Sequence, residues 1–126
     1  MLDSYPTSIP MGPSINYEPK KQKSDKDFPY KSAIGALLFL SNRTRPDITF
    51  AVNYLARFQA NPSDIHWTMM KRIFRYLNGT QNTGLKYDQH NEIMFDAFID
   101  AAFSDDPSTG KSTAGYIIRY HGNIIM

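Results

Sequence analysis

The spacing of apolar residues changes once along this 126-residue chain, and the change falls at Gly84. From Ser32 to Gly84, apolar residues recur every three to four positions. After it, they alternate with polar ones. The first period belongs to amphipathic helices and the second to strands. The chain is therefore committed to an α+β fold with its helices first. Its length gives room for one domain, or a small domain and a tail, and a chain of this size buries roughly two-thirds of its unfolded surface.

The first 29 residues stand apart from both patterns. They hold five of the eight prolines: Pro6, Pro10, Pro13, Pro19 and Pro29. Each fixes its own φ and pushes its predecessor out of the helical region. Residues 1–29 are read as an extended linker. Lys20, Lys21, Lys23 and Lys26 in it would suit phosphate contacts, but mixed with Asp25 and Asp27 they read more simply as a solvated charge run.

Three helices are expected over residues 30–82. The first runs from Ser32, with Ile34, Leu37, Leu38 and Phe39 as its apolar face. The second starts at Thr44-Arg45-Pro46-Asp47, where Thr44 can cap, Pro46 suits the first turn and Asp47 sits at the positive dipole end. Its stripe is Ile48, Ala51, Val52, Leu55 and Phe58. Ser63 caps the third, whose stripe is Trp67, Met70, Ile73, Phe74 and Leu77. Gly79 is expected to stop it in the left-handed conformation.

Over 83–126 the alternation predicts a short strand at Leu85–Tyr87, a turn at Asp88–Asn91 and a strand ending near Asp100. Residues 104–111, with Pro107 and Gly110, read as a loop. A strand follows over Ala114–Tyr120, then a hairpin turn at His121-Gly122-Asn123. Ile124-Ile125-Met126 opens a further strand, so the sheet is expected to be truncated.

Composition removes several classes of function. With no cysteine, disulfide scaffolds, thiolate zinc sites and cysteine nucleophiles are excluded. Lys plus Arg number 14 against 12 acids, and a net charge of +2 does not mark a nucleic-acid binder. No apolar run is long enough to cross a membrane. Met1–Pro6 lacks the basic start and apolar run of a secretory signal, so an intracellular protein is expected.

Five words in order carry a resemblance. Pro6-Thr7-Ser8-Ile9-Pro10-Met11 is followed by Tyr30-Lys31-Ser32-Ala33-Ile34-Gly35-Ala36-Leu37 and by Thr44-Arg45-Pro46-Asp47-Ile48. Next come His66-Trp67 and Arg75-Tyr76-Leu77-Asn78-Gly79-Thr80. Last is Ile99-Asp100-Ala101-Ala102-Phe103 with Lys111-Ser112-Thr113-Ala114-Gly115-Tyr116. In this order the chain resembles the Pol polyprotein of copia-type LTR retrotransposons, where reverse transcriptase joins ribonuclease H. The resemblance implies an extended linker over 1–29, a helical connection region over 30–82 and the first strands of a ribonuclease H-like sheet over 83–126. It also resembles small proteins described as secreted RxLR effectors, although no Arg-x-Leu-Arg word occurs. The alternative is a non-catalytic module, reused by a host to bind nucleic acid or protein, or an effector-like small protein.

By this resemblance Asp100 is the first carboxylate of a two-metal nuclease site, which in the parent enzyme would hold Mg2+ for hydrolysis of an RNA–DNA hybrid. Ala102 stands where the family has a second aspartate, and Phe103 replaces its tryptophan. A vestigial site without tight metal binding, polymerase or nuclease activity is expected. Asp96 shares a strand face with Asp100 by alternation and is a weaker second ligand. Asp105 and Asp106 read as loop residues. Lys71, Arg72 and Arg75 could touch a nucleic-acid backbone, and equally could serve the dipole at the helix end. No aromatic residue is clearly displayed for base stacking. His66, His90 and His121 lack metal-ligand spacing and read as surface or helix-start residues.

Overall fold

A computed structural model describes residues 5–12, 28–89, 94–103 and 110–125. The chain divides into two units, Met1–Gly84 and Leu85–Met126. The first is helical: α1 (Tyr30–Arg43), a 3-10 turn (Pro46–Ile48), α2 (Thr49–Ala56) and α3 (Asp64–Gly79). The second is a three-stranded sheet of β1 (Phe95–Ala102), β2 (Thr113–Tyr120) and β3 (Asn123–Ile124).

Helical spacing builds the core of the first unit. Tyr30, Ile34 and Leu37 line the buried stripe of α1. Ile48, Ala51, Val52 and Leu55 supply that of the second segment, and Met69, Met70 and Ile73 that of α3. α1 starts at Tyr30, ahead of the expected Ser32, because the Tyr30 ring is buried and its hydroxyl donates to the Leu55 carbonyl at 2.9 Å. Burial also pushes the phenol well above its ordinary proton affinity. The expected face of α1 was one residue too wide, since Phe39 points out and is 68% exposed.

Two helix ends differ from expectation. Neither Thr44 nor Asp47 caps α2; the chain enters through the 3-10 turn, and no side-chain cap bond forms there. Gly79 belongs to α3 and is absent from the positive-φ residues. Its missing side chain serves a close approach instead: a Cβ at Gly79 would lie 2.7 Å from Cβ of Pro6. Of the segment expected as a linker, residues 5–12 and 28–29 are described, and they touch the helices. Met11 and Phe28 pack on the core, Phe28 stacks on Trp67 at 4.9 Å between centroids, and Ile9 accepts a hydrogen bond from Arg72. Lys20, Lys21, Lys23 and Lys26 lie outside the described residues.

The sheet is antiparallel with order β1-β2-β3 and a register that sets Phe95 against Tyr120 and Asp100 against Gly115. The hairpin turn falls at His121-Gly122, whose φ values of 49° and 74° are the paired positive angles that a two-residue hairpin needs. Leu85–Tyr87 is not a strand. The Asn123 side chain holds this stretch instead, accepting from Asp88 N–H and donating to its carbonyl, both at 2.8 Å.

Candidate functional site

Asp100 lies on an exposed part of β1, opposite a residue without a side chain. Among the described residues, no hydrogen bond or ion pair engages its carboxylate. Its strand-face neighbour Asp96 is committed: the Arg119 guanidinium, on the paired position of β2, donates to it at 2.9 Å and also covers the Phe98 ring at 4.7 Å. Asp96 is thus an ion-pair partner, which removes it as a free second ligand. Asp105, Asp106 and His90 lie outside the described residues. Among those described, no three His, Asp or Glu side chains come together to hold a metal ion. A magnesium pair needs several converging carboxylates, and the described donors do not fit that requirement.

The three cations of α3 occupy different environments. Lys71 is exposed. Arg72 is half-buried, with Nε donating to the Ile9 carbonyl at 3.3 Å. Arg75 is half-buried, and among the described residues its buried Nε has no hydrogen-bond partner. Around them the charge is lopsided. Residues 28–84 carry seven Lys or Arg and two Asp, whereas residues 85–126 carry three and six acids. The small net charge hides this division. Phe39 and Phe50 (61% exposed) are displayed, contrary to the expectation that no aromatic residue is, and Arg43 lies over the Phe39 ring at 5.7 Å.

One polar cluster among the described residues escaped the sequence reading. Arg45 is only 5% exposed. It grips Asp47 with two bonds, Nε to Oδ1 at 3.0 Å and Nη2 to Oδ2 at 2.8 Å. It also donates to the Thr80 carbonyl at 2.9 Å and to Thr80 Oγ1 at 2.6 Å. The Tyr76 hydroxyl closes the cluster on Asp47 Oδ2 at 2.7 Å. The Arg45 bonds hold the Asp47 carboxyl below its ordinary value, and the Asp47 carboxylate raises the Tyr76 phenol. This guanidinium does for the C-terminus of α3 what Gly79 was expected to do, since a cation on the last carbonyls satisfies them and complements the dipole. The opposite charges two positions apart in Arg45-Pro46-Asp47 were the available signal.

Of the two readings of His66, surface or helix-start residue, the structure bears out the second. His66 is 1% exposed and completes a capping box with Ser63 at the start of α3.

No family model matches the chain, and no solved structure matches it. Curated relatives do. The chain is 36% identical to secreted RxLR effector protein 161 of Plasmopara viticola, over 79% of this chain and 70% of that protein. It is 36% identical to the retrovirus-related Pol polyprotein from transposon RE1 of Arabidopsis thaliana, over 94% of this chain and 8% of the polyprotein. It is 38% identical to the Pol polyprotein from transposon TNT 1-94 of Nicotiana tabacum, over 77% of this chain and 7% of the polyprotein. The chain thus spans less than a tenth of these two transposon polyproteins.

Proposed function

We propose a function from one premise: the chain belongs to the retrovirus-related Pol polyproteins of copia-type transposons. It acts there as a joint. Residues 1–29 lead from the reverse transcriptase, residues 30–82 form the helical connection, and residues 83–126 open a ribonuclease H-like sheet. The parent polyprotein copies RNA into DNA and hydrolyses the RNA of the hybrid with Mg2+. The segment alone does neither. The observation that supports this reading most is the match to a Pol polyprotein over 94% of the chain.

Within it, Asp100 is the vestige of the first metal carboxylate. Lys71, Arg72 and Arg75 face the backbone of the RNA–DNA hybrid, and the excess of cations in residues 28–84 supports a polyanionic partner. The protein is intracellular in this reading. Two assays test it. A labelled hybrid incubated with the purified chain and Mg2+ or Mn2+ stays intact; cleavage that disappears in Asp100→Asn would make the segment an enzyme. The same hybrid binds weakly, and Lys71→Ala lowers the slope of log affinity against log salt by about one. Tight binding insensitive to salt contradicts a backbone contact.

A second reading rests on the effector relative, 70% of whose length the chain covers. Under it the chain is a non-catalytic module, exported from the cell and directed at a protein. Recovery of the chain outside producing cells, with no hybrid binding at low salt, favours that reading over the first.

A further inference from the structure

The start of α3 holds a buried titratable ring that the proposed function does not use. The backbone N–H of Ser63 donates to Nδ1 of His66 at 3.0 Å, and Ser63 Oγ lies 3.0 Å from the same nitrogen. In return, the Ser63 side chain accepts the backbone N–H of His66. A backbone N–H can only donate, so Nδ1 must be the unprotonated nitrogen, and the neutral ring carries its proton on Nε2. Among the described residues, buried Nε2 has no partner. Phe58 covers the ring in a stacked arrangement, 4.0 Å between centroids.

We infer that His66 is a proton-operated catch on the first turn of α3: neutral, its Nδ1 holds Ser63 and caps the helix; protonated there, it lets go. Three physical effects oppose the imidazolium in this position. Its new N–H could turn only to Ser63 Oγ, and the Ser63 backbone N–H would lose its acceptor and face a second donor. Its charge would sit three residues into a helix, at the positive end of the dipole. It would also be buried against Phe58, and burial lowers the ring's proton affinity below the ordinary value.

Among the described residues, the charged and titratable groups on the surrounding elements do not supply a buried counter-charge. Asp64 precedes the ring by two residues and is exposed, where water screens its carboxylate. Tyr54 packs on Phe58, and the Arg57 guanidinium lies over the Tyr54 ring at 5.8 Å. Tyr30 of α1 spends its hydroxyl on the Leu55 carbonyl. The sign follows from the lowered folded value. Stability is complete above the ordinary value of 6.5 and falls as the pH drops below it, because the unfolded chain then binds a proton that the folded chain refuses.

The test compares the full chain with His66→Gln at pH 7.5 and 5.5. Glutamine is the usual acceptor at this capping-box position and does not titrate. The wild type is expected to lose on the order of 5 °C in melting temperature between the two pH values, and the Gln variant less than half of that. An equal loss in both overturns the proposal. Should the variant not fold, the wild type decides alone. By NMR, the His66 ring should titrate with a midpoint below 6.5, and the Ser63 amide resonance should move along the same curve. A midpoint at or above 6.5, or a Ser63 amide that stays still, overturns the proposal.

Discussion

The two units solve the burial problem to different degrees. Among its described residues, the helical unit closes ten hydrophobic ones away from water, with Ile34, Ile48, Val52, Leu55 and Met70 fully covered. β1 and β2 pair along their whole length, from Phe95 with Tyr120 to Ala102 with Thr113, yet none of the described residues of the sheet is buried. Phe98, Ile99 and Tyr116 are each more than half exposed, and they lie on both faces. A ladder of hydrogen bonds contributes little net stability, because the open chain makes the same bonds to water. Burial of apolar surface is the larger favourable term. The difference teaches that regular structure and a stable core are separate achievements. A small sheet needs a covered face to stand alone.

Core substitutions should show the contrast at its largest. Leu55→Ala, which also disturbs the carbonyl that Tyr30 bonds, is expected to cost about 2–5 kcal/mol. Ile99→Ala, at a site 79% exposed, should stay within about 0.5 kcal/mol. Chemical denaturation of both variants measures this; equal losses would show that the sheet has a hidden core.

The Arg45 cluster comes next. Arg45→Ala strands the Asp47 carboxylate and the Thr80 carbonyl, at an expected cost of about 2 kcal/mol, since Asp47 stays partly open to water. Arg45→Lys keeps the charge but loses the fork, and should recover less than half of that loss. Full recovery would reduce the cluster to simple charge pairing. Acid tests the same group. Asp47 is held below its ordinary 3.8, so its contribution is present above that pH and drains away as the pH falls through the folded value. Asp47→Asn should flatten this acid limb of the stability curve, and an unchanged limb would contradict the ion pair.

Gly79→Ala should have the smallest effect on global stability. Alanine favours the helix by about 1 kcal/mol, while its Cβ collides with Pro6. The expected result is a helix kept and residues 5–12 displaced, seen as new NMR shifts at Ile9 and Met11. Unchanged shifts there would deny the close approach.

Much of this architecture was legible in the residues. The switch of period at Gly84 lies at the boundary between the units. Ser63 was readable as the cap of α3, and His121-Gly122 as the hairpin. What stayed hidden depended on partners far along the chain. Arg45 meets Thr80 across 35 positions and Tyr76 meets Asp47 across 29, and no local pattern announces such a pairing. Gly79 was misread for the same reason, because its neighbour Pro6 lies in the segment that composition alone marks as solvated. For the site, alternation put Asp96 and Asp100 on one strand face, but it could not reveal that Arg119 takes Asp96.

Native-state hydrogen exchange on the whole chain tests the central contrast most directly. The amides of Ile34, Val52 and Ile73 should exchange only through global unfolding, with a strong dependence on denaturant. Those of Phe98, Ile99 and Ile117 should exchange orders of magnitude faster, through opening of the sheet alone. Equal protection of the two sets, with a shared denaturant dependence, would contradict the division into a closed helical core and an uncovered sheet.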